Sequence, residues 1–78
     1  MSSQEILEFV TAEPFRPFRI AMNSGRSFDI RHPEMVRVGR DVFILFKLVS
    51  ERPDIFDDWE TVSLLLLESI AHLDAQVA

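Results

Sequence analysis

The chain has 78 residues, no cysteine and a formal net charge of −5, so disulfides and thiolate metal ligands are excluded and a reducing cytoplasm is the expected compartment. A chain this short buries only about 60–65% of the surface its unfolded form exposes, so one domain, 1–78, with a thin core is expected. No stretch approaches the ~20 apolar residues of a membrane span, and Glu5 and Glu8 stand where a signal peptide would be basic and then apolar, so neither export nor membrane association is expected.

Against that size, 47% of the residues are apolar, more than a thin core hides easily, which predicts a homo-oligomer or a surface for another protein. The negative charge argues against general nucleic-acid binding. Its distribution is uneven, however. All eight basic residues (Arg16, Arg19, Arg26, Arg31, Arg37, Arg40, Lys47 and Arg52) lie in the middle of the chain, opposed there by Asp29, Glu34, Asp41 and Glu51, while both ends are purely acidic.

Ser2 and Glu5 have capping-box spacing, and Ile6, Phe9 and Val10 follow at i, i+3 and i+4 with Leu7 beside them. A short amphipathic helix is predicted, ended by Pro14, too short to stand alone and therefore docked on a sheet. From Phe15 the period becomes two. Phe18, Ile20 and Met22 face one way and Arg19 and Ala21 the other, until Asn23-Ser24-Gly25 turns the chain into a return strand with Phe28 and Ile30 inward. His32-Pro33-Glu34 interrupts pairing, because proline lacks a donor. Val36 and Val38 then make a third strand, and Gly39-Arg40-Asp41 turns into Val42 to Val49. That last run is apolar on both faces apart from Lys47, as in a central strand covered on both sides. Phe43 and Leu45 are expected to need a cover of their own, from the helix or another subunit. Ser50 to Asp58, with Pro53 and four acids around Ile55 and Phe56, reads as a loop. Beyond it Leu66, Ile70, Leu73 and Val77 recur at helical spacing after a Ser63 cap, which on periodicity alone predicts a helix.

The run Glu13-Pro14-Phe15-Arg16-Pro17-Phe18-Arg19-Ile20, with Gly25-Arg26-Ser27-Phe28-Asp29-Ile30-Arg31-His32-Pro33-Glu34, resembles a family of small uncharacterised bacterial proteins over most of the chain. The resemblance implies a strand, a turn and a final strand in the last third, matched by Glu60 to Leu65 and Leu67 to His72, and it replaces the helix there. It implies no activity. More distantly, a helix followed by short strands and a glycine turn is similar to the Sm-like small barrel, as in the bacterial Sm-like RNA chaperone. That protein's Lys-His pair before its last strand is absent, since leucines such as Leu65-Leu66 occupy the region, so RNA binding is not implied. The expected fold class is α+β, mainly β: an N-terminal helix followed by a five-stranded, strongly bent antiparallel sheet or a small Sm-like open barrel.

Candidate chemistry is sparse. His32 beside Glu34, with Asp29 and Arg31 nearby, could form a general base, with Ser24 or Ser27 as nucleophile. No elbow motif surrounds either serine, and an edge-strand exit explains the segment as well. The two histidines, His32 and His72, lie far apart in sequence, so no metal site is expected. Asp54, Asp57, Asp58 and Glu60 lack the calcium-loop spacing and its glycine. Only Gly25 and Gly39 are present, too few for a phosphate loop, and no cofactor is expected. Arg16, Arg19, Arg31 and Arg37 are candidates to share an outer sheet face and hold an anion, or to pair with acids across strands. Ile55, Phe56 and Trp59 are either anchors of their own loop or, interleaved with acids, the partner-facing element. The leading expectation is therefore a non-enzymatic interaction or self-assembly module, with possible contacts at Arg16, Arg19, Arg31, His32, Arg37, Phe56 and Trp59. An Sm-like nucleic-acid binder using the arginine-rich middle is the alternative, and an enzyme centred on His32 and Glu34 the remote one.

Overall fold

The computed structural model describes residues 2–49 and 52–74; Ser50, Glu51 and Val77, which belong to the expected loop and to the helical pattern, lie outside them. Helix α1, Ser3–Val10, starts where the capping box predicts. The Ser2 hydroxyl accepts from the Glu5 amide at 3.4 Å, and the Glu5 carboxylate accepts from the Ser2 amide at 3.3 Å. At the other end the Thr11 amide donates to the Leu7 carbonyl at 2.8 Å. Eight residues do not hold a helix in water unaided. Docking does, through fully buried Ile6 and through Phe9, whose ring lies 5.2 Å from Phe18 and 4.7 Å from His72. Replacing Ser2 with alanine is expected to lower the unfolding free energy by about 1 kcal/mol, read as a shift of the urea midpoint; an unchanged midpoint would mean the first turn contributes nothing to the global fold.

Six strands follow among the described residues: β1 Phe18–Met22, β2 Ser27–Ile30, β3 Val36–Val38, β4 Val42–Val49, β5 Arg52–Ser63 and β6 Leu67–His72. They form two three-stranded antiparallel sheets, ordered β2-β1-β6 and β3-β4-β5. The first strand after the helix is thus zipped to the last. The alternation of β1 buries Phe18, Ile20 and Met22, and the turn that follows has Gly25 at φ 94°, a conformation glycine adopts without the clash a Cβ would bring. Pro33 opens a 3-10 turn, Pro33–Met35, that carries the chain from the first sheet to the second. A second 3-10 turn, Leu64–Leu66, carries it back, capped by the Ser63 hydroxyl, which accepts from the Leu65 amide at 3.3 Å. One core joins both sheets and the helix: Phe18, Ile20 and Ile30 from the first sheet, Val36, Phe43, Leu45 and Val62 from the second, and Ile6 above them.

Three expectations are corrected. There are two sheets and six strands in place of one five-stranded sheet, and they do not close into a barrel. The segment read as a loop is strand from Arg52 onward, because its residues find partners along β4: Trp59 opposite Phe46, Asp58 opposite Lys47 and Phe56 opposite Leu48. Register shifts around Leu48 accommodate the odd spacing. The final strand expected in place of the helical pattern is present as β6, where pairing with β1 satisfies the backbone along Leu67–His72. Finally, Phe43 and Leu45 need no outside cover. They are the core side of β4, and the uncovered side is Ile44, Phe46 and Leu48.

Candidate interaction surface

On β4 the buried positions end at Leu45, and on β5 they begin again only at Val62. Between them Phe46–Val49 and Arg52–Thr61 form a two-stranded arm extending from the sandwich with no buried side chain among those described. Alternation places Ile44, Phe46 and Leu48 on the side of β4 turned away from the core, and their cross-strand partners are Thr61, Trp59 and Phe56. The Phe46 and Phe56 rings lie 4.7 Å apart. Trp59 is 57% exposed and Phe56 50%. The result is an aromatic and aliphatic face on an otherwise ordinary charged surface.

Charged groups border this arm and are paired with one another. Lys47 lies 4.0 Å from Asp58, its cross-strand partner, and the Arg52 guanidinium donates to both Asp54 oxygens at 3.1 and 3.0 Å. At the base, Arg26 from the β1–β2 turn donates to both Glu60 oxygens at 2.9 and 3.0 Å, tying the first sheet to the second. Arg26 also lies 4.9 Å from the Phe28 ring centre. Behind this bridge an open cleft of about 330 Å³, lined by Met22, Arg26, Glu60, Val62 and Leu66, separates the turn from the free edge of β5. Leu65 and Leu66, on the second 3-10 turn, are exposed as well.

The four arginine candidates do not share one face, although Arg19 and Arg31 converge on Asp29. Arg16 precedes β1 and pairs with Asp74 at 2.6 Å. Arg19 pairs with Asp29, its cross-strand neighbour, at 2.6 and 3.2 Å, and Arg31 lies 3.6 Å from the same carboxylate. Arg37 belongs to the other sheet, exposed opposite Ile44. His32 and Glu34 are both exposed at the first 3-10 turn. The acids Asp54, Asp58 and Glu60 face cations of this chain rather than one another.

These pairs set an acid dependence. The hydrogen bonds from Arg26 hold the Glu60 carboxyl below its ordinary value, and those from Arg19 do the same for Asp29, with Arg31 adding to the attraction there. For each group the folded pKa is lower than the unfolded one, so its stabilisation is complete above the unfolded value and is lost as pH falls through the folded value. The urea midpoint is therefore expected to decline below about pH 4, modestly because the groups are solvent-screened. Arg26→Gln removes the Glu60 share of that slope; an unchanged acid limb in that variant would show the bridge to be energetically silent.

The sequence marked Phe56 and Trp59 but not Ile44, Phe46 and Leu48. The available signal was the two-sided apolarity of Val42 to Val49, which called for cover on both faces but was assigned to Phe43 and Leu45. Comparison with models of protein families, with curated proteins and with solved structures finds no match to this chain.

Proposed function

We propose that this chain is a non-enzymatic protein–protein interaction module, and that its working surface is the outer face of the β4–β5 arm. The observation that carries this reading is the exposure of Trp59 and Phe56 on a face continued by Phe46, Leu48 and Ile44. Large aromatics in water-facing clusters are the usual anchors of interfaces, because each removes a large apolar area from water while few rotamers are frozen. A two-stranded ribbon without cover is also marginal on its own in water, and a partner on this face would complete it. Nucleic-acid binding draws no comparable support. Arg16, Arg19, Arg26 and Arg52 each donate to a carboxylate of the chain itself, which leaves few free cations for a phosphate backbone.

Native mass spectrometry of the protein purified gently from cells that make it tests this reading, alongside a Trp59→Ser variant. Added mass on the wild type, whether a further copy or a different protein, that disappears in the variant is the expected result. A bare single chain in both preparations would overturn it.

A further inference from the structure

The cleft beside the Arg26–Glu60 bridge runs along a backbone edge, which limits the kind of chain it can hold; the inference rests on the interaction reading above. We infer that the cleft is a strand-addition site. It takes a single extended segment of a different protein, paired to the free edge of β5 and apolar at alternate positions.

One wall of the cleft is the edge itself. Consecutive residues of β5, Glu60, Thr61, Val62 and Ser63, all line it, although successive side chains of a strand point to opposite faces. A cleft lying along the backbone edge produces that pattern, and one lying over either face does not. β5 ends the order β3-β4-β5, so this edge has no neighbouring strand among the described residues. Alternate N–H and C=O groups along it point away from β4 and remain open to pairing.

The opposite wall offers side chains and no ladder. Met22, Ser24 and Arg26 of the β1–β2 hairpin form it together with Leu66, and the backbone there is already engaged. The Met22 amide donates to the Arg26 carbonyl at 2.8 Å, the Gly25 amide to the Met22 carbonyl at 3.0 Å, and the Asn23 amide to the Leu66 carbonyl at 2.9 Å. An occupant therefore pairs on the β5 side alone and lays its inward side chains against Met22 and Leu66, the latter 54% exposed without such cover. Arg26 and Glu60 belong to opposite walls, and their two hydrogen bonds tie the walls together before any partner arrives. At about 330 Å³ the cleft is at the small end of binding clefts. That suits one extended segment better than the β5 edge of a second copy, which carries a wall of the same kind beside it.

The remainder of the β5 edge is protected against pairing. Proline, charge and bulges are the usual devices that keep an edge strand from adding neighbours, and in β5 they sit together in the arm. Pro53 has no donor, Asp54, Asp57 and Asp58 are charged, and register shifts between Lys47 and Val49 interrupt the ladder. From Trp59 onward the strand carries one charge, Glu60, and Arg26 neutralises it. The unprotected stretch and the cleft thus coincide. The occupant's outward side chains stand beside Thr61 and Trp59, so apolar residues at those positions cover the aromatic face from its edge.

NMR titration of the purified chain with a pool of acetylated octapeptides, in which Val, Ile, Leu or Phe alternates with Thr or Ser, tests the inference. The expected result is saturable shifts confined to residues 59–63 and to Met22, Arg26 and Leu66, with new hydrogen-exchange protection at residues 59–63. N-methylation of alternate peptide amides should weaken binding about tenfold, because it removes the ladder donors. Leu66→Asp, which sets a carboxylate in the cleft at an exposed position, should do the same while its urea midpoint stays near that of the wild type. No saturable shift, or shifts that map to Ile44, Phe46 and Phe56 instead, would overturn strand addition, and so would full exchange protection at residues 59–63 in the peptide-free chain. If the cellular protein carries a partner that Trp59→Ser releases and Leu66→Asp retains, strand addition fails and the interaction module stands. A wild-type chain that is bare when purified from cells and also leaves the peptide pool unbound overturns both.

Discussion

Phe18→Ala is expected to lower the unfolding free energy by about 3–5 kcal/mol, which is most of the stability of a domain with about 0.05–0.15 kcal/mol per residue. Phe18 is fully buried where three parts of the fold meet. Across the sheet it sits between Ile30 on β2 and His72 on β6, and above it lie the Phe9 ring at 5.2 Å and the Phe15 ring at 5.9 Å. Removing the ring therefore uncouples the helix from the sheet as well as opening a void. The far-UV circular dichroism of the variant should show loss of cooperative structure at ambient temperature or a urea midpoint close to zero. Phe18→Leu, which keeps most of the volume, should cost much less. Near-native stability in the alanine variant would mean that Phe9 and Phe15 collapse into the space, and that the helix is held by Ile6 alone.

The second large effect lies on the other sheet. Phe43→Ala is expected to cost a similar 3–5 kcal/mol, because Phe43 is fully buried between Val38 and Val62 and faces the same core. The informative comparison is with Ile44→Ser, one residue along the strand on the opposite face. Measured by urea unfolding, the Phe43 variant should be severely destabilised and the Ile44 variant only slightly. Equal effects from both substitutions would mean that β4 is buried on both sides within one chain.

The local features were legible wherever short-range chemistry governs them. The capping box at Ser2 and Glu5 needs only residues three apart, and it is present with both of its hydrogen bonds. The period-two run from Phe18 to Met22 and the turn at Gly25 follow from alternation and from a backbone angle that favours glycine. The end of β2 before Pro33 follows from the missing donor of proline. Leu67–His72 was legible only through a resemblance; the periodicity of Leu66, Ile70, Leu73 and Val77 favoured a helix, because a short apolar run satisfies either period.

Among the site residues, composition drew attention to Trp59 and Phe56, but whether they turned inward could not be read from a segment with a proline and four acids. Their exposure follows from pairing with β4, and so does the fate of the arginines. Arg19 and Asp29, or Arg26 and Glu60, become partners only when distant strands meet.

The deepest ambiguity was β4 itself. A strand apolar on both faces carries no parity of its own, so Phe43-Leu45 and Ile44-Phe46-Leu48 were equally good candidates for the core. Amino-acid order alone specified the helix, the first strands, their turns and the surplus of apolar surface. Which face of β4 that surplus occupied was decided by register with Val36, Val38 and Val62, for a physical reason: a one-residue slip in pairing exchanges the buried and exposed faces of a strand, and only contacts with the rest of the fold distinguish the two arrangements.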